Sequence, residues 1–174
     1  MYAHLVYLIA GHILSGHDVS DGGLVTCVLE MAFGGHCGIQ VDIAHRNSKD
    51  SIEVLFSEEV GWVLEIDSAN IQKVLSEFKK SKVPVFPIGV STGFGPSSKI
   101  EVSVNGKMEV DAQMVDLYQL WEETSWQLEK RQANPSSVTQ EHKSLRTRSG
   151  PEYRFSFEPM TLKISKALNH GMLS

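Results

Sequence analysis

The chain has 174 residues, of which 41% are hydrophobic and 21% are charged, and this composition is typical of a globular protein rather than a disordered one. A chain of this length buries roughly 70% of the surface that it exposes when unfolded, so it needs no disulfide staples. The formal net charge of −5 argues against a general nucleic-acid binder. No apolar run approaches the roughly 20 residues of a membrane helix. Cys27 and Cys37 are too few for a disulfide framework and indicate buried free thiols.

Charge is distributed unevenly along the chain. Residues 1–140 carry 10 Lys and Arg against 18 Asp and Glu, whereas residues 141–174 carry 6 against 3. The hydrophobic periodicity also stops after Pro135. We therefore predict one folded domain over residues 1–135 and a mostly irregular linker or docking tail over residues 136–174.

The first third of the chain predicts two helices and a strand. Apolar residues at helical spacing, the last of them Ile13, indicate the end of a core helix, followed by a polar loop over residues 15–23. Residues 24–33 predict a second helix, with Ser20 or Asp21 as its N-cap. Alternating apolar residues then predict a strand over residues 39–43.

The following elements alternate between helix and strand, and the sequence predicts a short helix at 52–56, a strand at 62–66, an amphipathic helix at 71–78, an extended segment at 85–90, a hairpin over 100–110 and a long helix at 114–131. Asn105-Gly106 predicts the tight turn of the hairpin. This order favours an α+β fold, with a mixed sheet and helices packed on one face, over a doubly wound parallel sheet.

The segment richest in groups that could bind a ligand is the predicted loop over residues 15–23. It holds two carboxylates, a hydroxyl between them and two glycines before a helix. Glycines and a helix N-terminus favour a phosphate, and carboxylate oxygens suit Mg²⁺. The same residues would equally form an ordinary capped helix. The residues alone leave both interpretations open.

Other candidate groups give weaker indications. The seven histidines show no paired spacing of the kind that zinc sites use. Glu58 and Glu59 form either an acid/base pair or, as we favour, one structural and one solvated carboxylate.

Several motifs occur together in one order. They are HDVSDGGL at residues 17–24, EMAF at 30–33, LFSEE at 55–59, SVNG at 103–106 and LWEETS at 120–125. With these motifs the chain resembles the phosphoribosylformylglycinamidine synthases, a family of the aminoimidazole ribonucleotide synthetase superfamily. The resemblance covers about residues 10–158, and the LWEETS helix distinguishes this family from the rest of the superfamily.

The resemblance implies a fold like the C-terminal domain of aminoimidazole ribonucleotide synthetase, placed as the C-terminal subdomain of the second synthetase half. It implies a fragment of a cytoplasmic ligase that uses ATP and glutamine to convert formylglycinamide ribonucleotide to the amidine in purine biosynthesis. Its partners would be the remaining synthetase and glutaminase domains and a nucleotide, with no nucleic acid and no membrane.

The resemblance also implies roles for the loop residues. Asp18 is the expected Mg²⁺ ligand and Ser20 the expected ATP contact, and His17, Asp21, Gly22 and Gly23 would support them. ATP would be either a substrate or a structural nucleotide. No catalytic residue is assigned, and we expect the isolated chain to be inactive. The alternatives are a non-catalytic nucleotide-binding module and a structural or interaction module of the same superfamily.

Overall fold

The computed structural model describes residues 10–44, 50–148, 154 and 156–158. The strands are β1 (Ile13–Asp18), β2 (Cys37–Ile43), β3 (Trp62–Ile66), β4 (Gly89–Phe94), β5 (Lys99–Val104) and β6 (Lys107–Gln113). The helices are α1 (Gly23–Gly35), α2 (Ser51–Phe56), α3 (Ile71–Lys80), α4 (Met114–Gln132) and α5 (Pro135–Ser144), with short 3₁₀ turns at Ala10–His12 and Ser68–Asn70.

Four of the strands form a mixed sheet in the order β4-β2-β5-β6. β2 pairs with β5 in parallel and with β4 antiparallel, and β5 and β6 form a hairpin. Asn105 and Gly106 have φ angles of 51° and 78°, which fits the primed turn that the Asn-Gly pair predicts. Alternate residues of β2 and β5 are buried on one face, against α1, α2 and the start of α4. The predicted α+β fold, with a mixed sheet and helices on one face, is confirmed.

The other two strands, β1 and β3, form an antiparallel ribbon. One side of this ribbon packs on α3, where Val74 and Phe78 form a second, smaller cluster with partly buried residues of the ribbon. Glu65 of β3 accepts hydrogen bonds from the hydroxyls of Ser15 at 2.9 Å and Ser91 at 2.7 Å. Ser91 lies on β4, so this carboxylate links the ribbon to the edge of the four-stranded sheet.

The first described element differs from its prediction. Ile13 lies in β1 rather than in a helix, and residues 15–18 continue that strand rather than forming a loop. The strand forms because β3 offers a pairing edge, which local periodicity cannot reveal. Residues 1–9, where the rest of the predicted helix falls, lie outside the described residues. The extended segment predicted at 85–90 also begins later, as β4 at Gly89.

The segment after Asn134 also differs from its prediction as an irregular linker, because Pro135–Ser144 form helix α5. The Asn134 side chain accepts a hydrogen bond from the Ser136 amide at 2.9 Å, and Pro135 occupies the first turn, where its missing amide proton costs nothing. Asn134-Pro135 therefore separates two helices. The predicted tail beyond residue 148 lies outside the described residues, except for 154 and 156–158.

No helix among the described residues is both long and apolar enough to cross a membrane.

Candidate functional site at the junction of β1 and α1

The predicted site residues lie where β1 ends and α1 begins. His17 and Asp18 are the last two residues of β1, and the chain then turns before α1 starts at Gly23. The Val19 amide donates to the Gly61 carbonyl at 2.8 Å, and the Gly23 amide donates to the Ser20 carbonyl at 3.0 Å. These backbone bonds define a tight turn that carries Ser20 and Asp21 on the surface.

The backbone geometry of the turn explains why glycine occupies positions 22 and 23. Gly22 and Gly23 have φ angles of 84° and 74°, in the left-handed region that side chains rarely adopt. A Cβ on Gly23 would also lie 2.6 Å from the backbone carbonyl carbon of Phe56. The junction therefore packs directly against the end of α2, and neither position tolerates a side chain.

The predicted N-cap is wrong, because Gly22, and not Ser20 or Asp21, caps α1, and no side chain makes the capping hydrogen bond. The left-handed conformation of Gly22 places the cap one residue beyond Asp21. The side chains of Ser20 and Asp21 therefore do not cap α1.

Glu58, which follows α2, forms a side-chain hydrogen bond with the turn. Its Oε1 accepts a hydrogen bond from the Gly22 amide at 3.0 Å, and so ties the junction to the segment after α2. This contact agrees with a structural rather than an acid/base role for Glu58. The LFSEE motif and the HDVSDGGL motif are thus in contact.

Asp18 faces an open cleft that is lined by Gly16, His17, Asp18, Trp62 and Leu64. The Asp18 side chain is 67% exposed, and Trp62 is its partner across the ribbon. His17 lies beside it, with Nδ1 2.7 Å from the Asp18 carbonyl oxygen and 3.6 Å from Asp18 Oδ1. The structure therefore places both His17 and Asp18 in the lining of an open cleft.

Two residues that sequence reasoning missed complete this arrangement. Glu30 on α1 places Oε2 3.1 Å from His17 Nε2, and its Oε1 accepts a hydrogen bond from Trp121 Nε1 on α4 at 3.2 Å. Both residues lie inside motifs that support the family resemblance, EMAF and LWEETS, which was the available signal. The contacts of Glu30 with His17 and with Trp121 depend on the packing of β1, α1 and α4 and could not be inferred from spacing.

The buried side of the junction is apolar and contains Cys27. Its Sγ donates to the His17 carbonyl oxygen at 3.7 Å. Burial raises the pKa of the Cys27 thiol to about 11, and the nearby carboxylates of Asp18 and Glu30 act in the same direction. This thiol is therefore protonated and unreactive near neutral pH.

The residues at the junction fit one part of a Mg²⁺ site. An exposed carboxylate in an open cleft supplies the hard oxygen that Mg²⁺ prefers, and leaves room for water and phosphate oxygens as further ligands. Within residues 10–44 and 50–148, no three His, Cys, Asp or Glu side chains come together as a metal-binding group. Asp18 would therefore fit such a site only as one ligand among others.

Comparisons with known proteins agree with this architecture. The family described as AIR synthase related protein, C-terminal domain, matches residues 1–100. Over 141 residues the chain is 45% identical to a phosphoribosylformylglycinamidine synthase of Homo sapiens, covering 81% of this chain and 10% of that protein. It is also 45% identical over 158 residues to the protein of the same name from Drosophila melanogaster, covering 83% and 12%. The chain thus spans about a tenth of the length of these curated relatives.

Among solved structures, the chain is similar to PurL of T. maritima complexed with ATP, with a TM-score of 0.53 and 12% identity. That likeness covers 87% of this chain and 22% of the other, and at this identity it concerns the fold alone. The family match, in contrast, extends over more than half of the sequence. This protein therefore belongs to the AIR synthase related proteins and carries the C-terminal domain of that family.

Proposed function

We propose that this chain is the C-terminal subdomain of the second synthetase half of a phosphoribosylformylglycinamidine synthase. The complete enzyme would use ATP and glutamine to convert formylglycinamide ribonucleotide to formylglycinamidine ribonucleotide, in the cytoplasm. The observation that carries the proposal is the 45% identity to two curated enzymes of this name over more than four-fifths of the chain. The exposed Asp18 in the junction cleft is compatible with it.

In this proposal Asp18 binds Mg²⁺ and Ser20 contacts ATP. The metal would neutralise phosphate charge while a phosphoryl group passes to the amide oxygen of the substrate, before ammonia displaces phosphate. Gly22 and Gly23 let the turn adopt its left-handed conformation, and His17 lies against Asp18. Asp21 lies in the same turn, where its charge would favour a cation over a free phosphate.

The isolated chain would not turn over substrate. One exposed carboxylate holds Mg²⁺ weakly, because the ion needs near-octahedral coordination and gives up its water reluctantly. The remaining ligands and most of the nucleotide pocket would come from the other synthetase domains. Ammonia would come from the glutaminase domain. These domains are the proposed partners.

A chimera tests this function directly. In the human enzyme, the 141 residues that match this chain are replaced by the corresponding residues of the chain, and ATP- and glutamine-dependent amidine formation is measured. We expect an active chimera, in which Asp18→Ala lowers kcat/KM by more than about 100-fold because a direct metal ligand is lost. Asp116→Asn, which alters a carboxylate on the surface of α4 in an ion pair with Arg146, is the matched control.

Three results would count against the proposal. A chimera that melts cooperatively but makes no amidine would contradict the assigned reaction. An active chimera that is indifferent to Asp18→Ala would contradict the metal assignment. Tight binding of Mg²⁺-ATP without turnover would favour the non-catalytic nucleotide-binding alternative.

A further inference from the structure

Glu30 bridges two elements that are far apart in sequence. Its two carboxylate oxygens have different partners, His17 Nε2 on β1 at 3.1 Å and Trp121 Nε1 on α4 at 3.2 Å. The side chain is only 27% exposed. A carboxylate that uses each oxygen for a different ring nitrogen fixes both rings relative to α1.

His17 transmits this constraint to Asp18. With Nε2 held by Glu30, the ring presents Nδ1 to the Asp18 carbonyl oxygen at 2.7 Å. The same nitrogen lies 3.6 Å from Asp18 Oδ1. His17 therefore contacts the backbone of Asp18 and lies beside its carboxylate.

Trp121, which is about half exposed, packs against two aromatic rings at the other end of these contacts. Its ring centroid lies 5.9 Å from that of Phe33 and 6.0 Å from that of Tyr118, and the rings of Phe33 and Tyr118 stack at 4.8 Å. This aromatic cluster joins α4 to α1. It holds the indole N–H in place where it can donate to Glu30.

We propose that Trp121, Glu30 and His17 are positioning residues that orient the Asp18 carboxylate for its ligand. This inference rests on the proposed function, in which Asp18 binds Mg²⁺. Residues that hydrogen-bond to a metal-binding side chain fix the orientation of that side chain and strengthen metal binding. A helix that begins about one hundred residues after the cleft thereby contributes to the geometry of the cleft.

The first experiment uses the chain on its own and needs no activity. The indole N–H groups of the three tryptophans are observed by ¹⁵N–¹H correlation spectroscopy, and Trp121→Phe assigns the Trp121 signal. We expect both Glu30→Gln and His17→Ala to shift the Trp121 signal, because the three side chains form one connected series. The Trp126 signal should stay in place, since the Trp126 ring stacks on His142 of α5 and lies outside this series of contacts. An unchanged Trp121 signal in both variants would overturn the proposed connection.

The second experiment uses the active chimera and measures the Mg²⁺ concentration at half-maximal rate, with kcat measured separately at saturating Mg²⁺. Glu30→Ala should raise that concentration by about 10- to 100-fold, as the loss of a supporting partner does at other metal sites, with a smaller effect on kcat. Trp121→Phe should raise the same Mg²⁺ concentration by about 10-fold, the lower end of this range, because it keeps an aromatic ring and removes only the N–H donor. Trp126→Phe is the matched control, since it removes an indole from the same helix.

The two experiments separate the two proposals. An inactive but folded chimera would reject the proposed function, and the spectra of the isolated chain would still decide whether the contacts are connected. In an active chimera, Glu30→Ala and Trp121→Phe could instead lower only kcat or only the melting temperature, with the Mg²⁺ dependence unchanged. That result would assign these residues to packing and overturn the positioning role.

Discussion

The four-stranded sheet lies on a continuous cluster of fourteen buried residues, whereas the cluster beneath the β1–β3 ribbon contains only two buried residues, Val74 and Phe78. Yet Asp18, the residue on which the proposed function depends, lies on the ribbon. Val63 of the ribbon packs against the main cluster, and Cys27 Sγ donates to the His17 carbonyl oxygen. Two carboxylates add polar links, because Glu65 of β3 accepts a hydrogen bond from Ser91 of β4 and Glu30 of α1 lies beside His17. Site geometry here depends on apolar and polar contacts between two regions of unequal packing.

The largest expected difference between the two regions is in the free energy of unfolding. Ile100 of β5 is fully buried, so Ile100→Ala should lower this free energy by about 2–5 kcal/mol. Ile66 of β3 is only partly buried in the small cluster, so Ile66→Ala should cost less than about 2 kcal/mol. Urea denaturation of both variants measures the difference, and equal losses would show that the ribbon is as well packed as the sheet.

Cys27 gives a second, smaller effect, which reports on the contact between α1 and the ribbon. Burial raises its pKa from the ordinary 9.0 to about 11, so near pH 8 its thiolate fraction should be about 100-fold below that of an unperturbed thiol. Alkylation by iodoacetamide, followed by mass spectrometry as a function of pH, checks this expectation. A rate that levels off near pH 9 would contradict it.

The same pKa shift makes stability depend on pH. Because the folded-state pKa is above the unfolded-state value, the contribution is fully present below pH 9 and is lost as the pH rises through about 11. Burial also raises the pKa of Cys37, so the double variant Cys27→Ala, Cys37→Ala is the control, and it should lose less stability over this range.

The smallest expected effect concerns the segment after α5. Asp116 and Arg146 form an ion pair at 2.8 Å, but both side chains are about half exposed. Asp116→Asn should therefore change the free energy of unfolding by at most about 1 kcal/mol, because solvent and salt screen such pairs. Thermal melts at low and high salt measure it, and a loss well above this value would give the ion pair a structural role that its exposure does not predict.

Sequence reasoning succeeded where a structure depends on neighbouring residues. The apolar spacing of residues 71–78 identified α3, and Asn105-Gly106 identified the hairpin turn, because helix faces and primed turns are encoded within a few residues. It failed at Ile13, where pairing with β3 converts an apparent helix into a strand. It also failed at Pro135–Ser144, whose helix contacts α4 through the stacked rings of His142 and Trp126.

The same division applies to the candidate site. The sequence by itself determined that a carboxylate, a hydroxyl and two glycines precede a helix, and its motifs indicated the family. Only the tertiary structure decided that Gly22 caps α1, that Glu58 binds the turn from 36 residues away and that Glu30 contacts both His17 and, 91 residues away, Trp121. Local conformational preferences act over a few residues, whereas contacts between distant residues form only when the packing of β1, α1 and α4 brings them within hydrogen-bond distance.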